Sequence, residues 1–119
     1  MMRKYFVAAL LAVLAAVFAS PALGAGLVRC YVSDWPDHEW DDMEIEAVFD
    51  ARPDRGSVRL VLTSGGQSKT ISPHDVDRER GYYVYEFEFV IPSGTWTPTL
   101  HWSSGGAQHS ARQPEFTIR

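Results

Sequence analysis

Residues 82–91 read YYVYEFEFVI. Tyr83, Tyr85, Phe87, Phe89 and Ile91 alternate with Tyr82, Val84, Glu86, Glu88 and Val90. A period of two marks a strand with one face on a core and the other toward water. The same period recurs on both sides of this stretch. Val28, Cys30 and Val32 alternate along one segment, and Ile45, Ala47 and Phe49 alternate with Glu44, Glu46 and Asp50 along a second. Val58, Leu60 and Leu62 form a third, Trp96, Pro98, Leu100 and Trp102 a fourth, and Phe116 and Ile118 close the chain. Between them lie turn signals: Arg52-Pro53-Asp54-Arg55-Gly56, Ser64-Gly65-Gly66, Pro92-Ser93-Gly94 and Ser103-Ser104-Gly105-Gly106. No sustained helical period follows residue 25. Residues 72–80, polar and containing Pro73, read as a loop with at most one helical turn. Pro98 cannot donate to a ladder, so its strand is expected to be an edge there or to be bulged. Short antiparallel strands at this spacing predict an all-β sandwich of about seven strands.

The stretch from Tyr82 through Thr97 resembles the closing strands of bacterial immunoglobulin-like domains. It has an alternating aromatic strand, a Pro-Ser-Gly corner, and a Gly-Thr-aromatic opening of the next strand. With residues 114–119 as a final strand, the resemblance spans roughly the last 40 residues. It implies an immunoglobulin-like sandwich and no single activity, because such domains serve as adhesins, chaperones, inhibitors and sugar binders. The buried cysteine pair of antibody domains is absent, since the chain has one cysteine.

The first 25 residues have another purpose. Arg3 and Lys4 precede an uncharged apolar run over residues 5–19, which is broken by Ser20 and Pro21 and followed by small residues. That order predicts a secretory signal peptide cut after Gly24 or Ala25. The run is short for a membrane span, although an uncleaved anchor is the alternative. Leu27-Val28-Arg29 before Cys30 does not suit a lipoprotein cut. The expectation is therefore a single domain over residues 26–119, in the periplasm or the medium, with no membrane attachment after cleavage. Cys30 is expected to be a buried thiol acting as a small hydrophobe, with a disulfide-linked dimer or a reactive thiol as the alternatives, so the chain should be a monomer or weak dimer.

Charge separates the function classes. The whole chain carries 11 basic and 15 acidic residues. Without Arg3 and Lys4 the balance becomes 9 against 15, net −6, which argues against a nucleic-acid partner. Residues 34–50, DWPDHEWDDMEIEAVFD, hold eight carboxylates and no Lys or Arg, so the acidity is local. A solvated loop leading into a strand explains such a run with no partner at all. A docking surface for a protein, one expected to be basic, explains it with Asp34, Trp35, Asp37, Glu39, Trp40, Asp41 and Asp42 as contact residues, because aromatic anchors and an acidic field suit capture of a cation. Oxygen ligands from Asp34, Asp37, Asp41 and Asp42 are the candidates for a Ca2+ site, although the spacing is not that of an EF-hand loop. Trp35 or Trp40 as a sugar platform is a further alternative, and a structural accessory domain of an envelope complex is another.

Trp96 and Trp102 fall on the inward register and are expected in the core. His101 and His109 are equidistant from Gly105, so a hairpin centred there would set them opposite each other, where two imidazoles can start a metal site. No nucleophile elbow, HExxH pair, CxxC or phosphate loop occurs. The expectation is a non-enzymatic binding domain that uses no cofactor.

Overall fold

The computed structural model describes residues 26–119. The expected signal peptide lies outside the described residues. Nine strands form two antiparallel sheets, and no helix occurs among the described residues. They are β1 (Leu27–Asp34), β2 (Met43–Phe49), β3 (Arg59–Ser64), β4 (Gln67–Ile71), β5 (Asp75–Glu79), β6 (Tyr82–Phe89), β7 (Gly94–Ser104), β8 (Ala107–Arg112) and β9 (Phe116–Ile118). The first sheet has the order β1-β2-β6-β5, and the second β4-β3-β7-β8 with β9 also on β7. The result is an all-β, sandwich-like fold.

The alternation reaches the core as the sequence implies. From β2 come Met43, Ile45, Ala47 and Phe49, and from β6 Tyr85, Phe87 and Phe89. Leu60 and Leu62 of β3 and Trp96, Leu100 and Trp102 of β7 face them from the other sheet. Both of these tryptophans are buried. Phe49 meets Tyr85 of its own sheet and Trp102 of the opposite one edge-on, each at 5.4 Å between ring centres. Edge-to-face contacts put the positive rim of one ring on the negative face of the other, adding to the burial itself.

Three strands do not show in the apolar pattern. β4, β5 and β8 are polar, and each lies at a sheet edge. Residues 75–79 form β5 instead of the loop expected there. The hairpin joining β5 to β6 turns on Arg80 and Gly81, both at positive φ (53° and 87°), which suits a two-residue loop. An edge strand held by backbone pairing needs few inward apolar groups, so its signal was the alternation of Asp75, Asp77 and Glu79.

Pro98 sits in β7, a central strand, yet its own register partner is Leu62 of β3 alone, and the irregularity expected there lies on its other side. The neighbouring strand is the one interrupted. The β7–β8 register ends at Thr99↔Arg112, and β9 resumes it at Trp96↔Phe116 with one extra residue. The Pro98 carbonyl accepts the Gln113 N–H at 2.8 Å. Backbone N–H and C=O of one strand residue point the same way, so the donor that Pro98 lacks falls beside this break.

Asp54, in the loop between β2 and β3, holds the β7–β8 turn. Its carboxylate accepts the N–H groups of Gly105 and Gly106 at 3.0 and 2.8 Å and the Ser103 hydroxyl at 3.0 Å. These bonds hold its pKa below the usual carboxylate value, the two backbone donors foremost. A depressed folded-state pKa gives stability that is present above the unfolded value and lost as pH falls through the folded one. Asp54→Ala should therefore lower the melting temperature at neutral pH and narrow the gap from wild type on acidification, as read by thermal melts at pH 7 and pH 3. Trp102→Ala should cost about 3–5 kcal/mol in a denaturant titration.

Candidate functional site

The register of the first sheet places one acid beside another. Glu44 pairs with Glu88, Glu46 with Glu86, and Glu86 with Asp75 on its other side. Directly paired residues share a face, so Tyr31, Glu46, Glu86 and Asp75 form one row, and Asp34, Glu44 and Glu88 another. Asp77 and Glu79 continue the face along β5. Its strands carry eight carboxylates, and of their two cations only Arg29 shares the face, because Arg78 pairs with inward-facing Tyr83. The second sheet carries no acid at all, only Arg59, Lys69 and Arg112. The molecule is thus electrically two-sided.

Like charges directly opposite one another destabilise a sheet. Part of this is offset on the β1 side, where the Tyr31 hydroxyl donates to Glu46 at 2.7 Å and the Ser33 hydroxyl to Glu44 at 3.0 Å. On the far side His74 Nε2 lies 3.6 Å from Glu88. Loss of hydration raises the Glu86 pKa, with Glu44, Glu46, Asp75 and Asp77 adding to it. The Asp77 pKa is raised as well, by Asp75 first.

The 34–42 segment begins on this face at Asp34 and connects β1 to β2. Asp34, Asp37, Glu39 and Asp42 are exposed, Asp41 is half-buried, and Trp35 and Trp40 are 55% and 59% exposed. Trp35 does make one aromatic contact, edge-on to Phe116 at 5.9 Å. The segment is tied down by its backbone. The Trp40 N–H donates to the Ile91 carbonyl at 3.2 Å, and Glu39 accepts the Ser93 N–H at 3.2 Å. The Asp41 carboxylate accepts the N–H groups of Asp37 and Asp42. Trp40 has φ 65°, a left-handed conformation that costs a residue with a side chain about 1–2 kcal/mol.

Among the described residues one group of three carboxylates converges with ligand atoms within 4.8 Å of one another: Asp75, Asp77 and Glu86. Asp34, Asp37, Asp41 and Asp42 are not among it. The sequence reading missed the contribution of β5 and β6 to the acidic surface, because only the strand order brings residues 75–88 beside residues 44–46. The histidine expectation is corrected by register. The turn centres between Gly105 and Gly106, so His101 pairs with Ser110 and His109 with Trp102. Neighbouring residues on a strand point to opposite faces. His109 stacks on Trp102 at 5.6 Å, while His101 occupies the other face. Cys30 packs against the core and is free, and burial pushes its thiol up to about 12, where little thiolate forms near neutral pH.

No protein-family model, curated protein or solved structure matches the chain.

The crowding of Glu86 is measurable. A carboxylate whose folded-state pKa is raised opposes folding while ionised, and that opposition fades as pH falls through the raised value. Glu86→Gln should raise the melting temperature at pH 7, and the two melts should converge on acidification to pH 3.

Proposed function

We propose that this chain is an exported, non-enzymatic immunoglobulin-like domain that docks a basic protein through its acidic sheet face and the 34–42 segment. The observation that carries the reading is the lateral alignment of Glu44 with Glu88 and of Glu46 with Glu86. Such rows are costly in the isolated molecule and become favourable when a cationic surface covers them. Trp40 supports the same reading. Strain in an exposed residue is kept where a surrounding role demands it, and large aromatic rings are the common anchors of interfaces. The immunoglobulin-like assignment rests on strand order. The sheets β1-β2-β6-β5 and β4-β3-β7-β8 follow the ABED and CFG arrangement of that fold, with β4 added beside the C-equivalent strand. Export rests on the pattern of residues 1–25.

The test is capture of a basic protein, with polylysine as the first probe, measured by titration calorimetry across a salt series. Binding should weaken steeply with salt, and Asp37→Lys with Asp42→Lys, two exposed carboxylates, should reduce affinity at least tenfold while leaving the melt nearly unchanged. Binding that ignores both salt and charge reversal would sink the docking reading. Trp40→Gly separates anchor from scaffold: relief of the left-handed strain should hold or raise the melting temperature while affinity for a basic protein falls. Melts with and without Ca2+ complete the set, because a rise with the ion would favour the divalent-cation alternative.

A further inference from the structure

The docking face ends at a cavity. Between β1 and the interruption separating β8 from β9, the two sheets gape around a half-open pocket of about 340 Å3. Cys30, Val32 and Ile45 wall it from the first sheet, and Pro98, Pro114 and Phe116 from the second. Trp35 lines it while more than half exposed, with its edge contact to Phe116 fixing the ring. Glu115 also lines it, Asp34 immediately precedes Trp35, and none of its lining residues is a Lys or Arg.

Size and charge together narrow the occupant. An apolar cavity of about 150 Å3 is enough for benzene, so this one accepts any natural aromatic side chain. A lysine head gains nothing from walls of Pro, Val, Ile and Phe, and an anionic molecule would meet Glu115 and the field of the acidic sheet. The walls are also largely set in advance. Two prolines have fixed backbone φ, and Phe116 is clasped through the Trp96 pairing of β9. A preformed pocket loses little on being filled, which favours one deep anchor over many shallow contacts. Trp35 joins the two regions, since it belongs to the acidic segment and forms part of the wall.

We infer that this pocket receives an aromatic side chain of the partner, presented from a segment with cations on either side of it, so that the ring enters between the sheets while the cations meet Asp34, Glu115 and the acidic face. The inference rests on the docking reading and names what the partner must present. The probes are three capped pentapeptides: one phenylalanine between pairs of lysines, alanine in its place, and phenylalanine between pairs of glutamates. Affinities come from titrations followed by the amide and indole resonances of the 15N-labelled protein. The lysine–phenylalanine peptide should bind at least tenfold more tightly than its alanine counterpart and should move the signals of the Trp35 indole and the Phe116 amide. Trp35→Ala should erase that advantage, and Glu115→Lys should weaken both lysine peptides. Equal binding of the two lysine peptides would overturn the pocket and leave docking standing. Failure of both to bind would remove the docking reading and the pocket with it. Equal binding of the glutamate peptide would overturn the cationic requirement on which the inference depends.

Discussion

No disulfide joins the two sheets. With a single cysteine in the chain, the sandwich is held shut by packing, and Phe49 stands where the two sheets' aromatic contacts meet. It belongs to β2 and meets both Tyr85 beside it and Trp102 across the gap. In the immunoglobulin reading these strands, β2 and β7, are the ones that antibody domains bridge with a disulfide. Here a ring contact occupies that seam. A packed seam holds the native state by favourable contact, whereas a cross-link acts largely by restricting the unfolded chain. Stability in this protein should accordingly depend on the shape of its core.

That dependence explains which parts of the fold could be read from the residues. The strands bearing the core, β2, β3, β6 and β7, announce themselves because every second residue must be apolar. β4, β5 and β8 answer to a weaker requirement. They supply backbone partners at an edge, where polar side chains are acceptable and even protective against pairing with another chain. Residues 75–79 looked like a loop for this reason. The acidic 34–50 run and the two tryptophans within it were plain in the sequence, while the exposure of those rings was not. Its continuation onto Asp75, Asp77, Glu79, Glu86 and Glu88 was not, since adjacency across strands is a property of topology. The histidine pair failed on a finer scale. A turn centred half a residue from Gly105 moved one imidazole onto Trp102 and left the other on the opposite face.

The acidic sheet face and the strained Trp40 share a logic. Each is a local departure from what the isolated fold would favour, one in electrostatics and one in backbone conformation. Neither contributes a side chain to the core. The opposite sheet, bearing hydroxyls such as Thr63, Thr95 and Thr117 with no carboxylate, shows that the same scaffold can present a face free of such conflict. Concentrating cost on one side is how marginal stability and a charged surface coexist in a domain of this size.

The break opposite Pro98 bears on how this molecule could change over time. The missing donor belongs to an imino acid in a central strand, and the gap beside it is part of the cavity wall. The opening is therefore written into the main chain, while its lining is written into side chains. Lineages could exchange Val32, Ile45 or Phe116 for neighbours of other sizes and still inherit a hollow in the same place. A hollow built in that way can change its lining without closing.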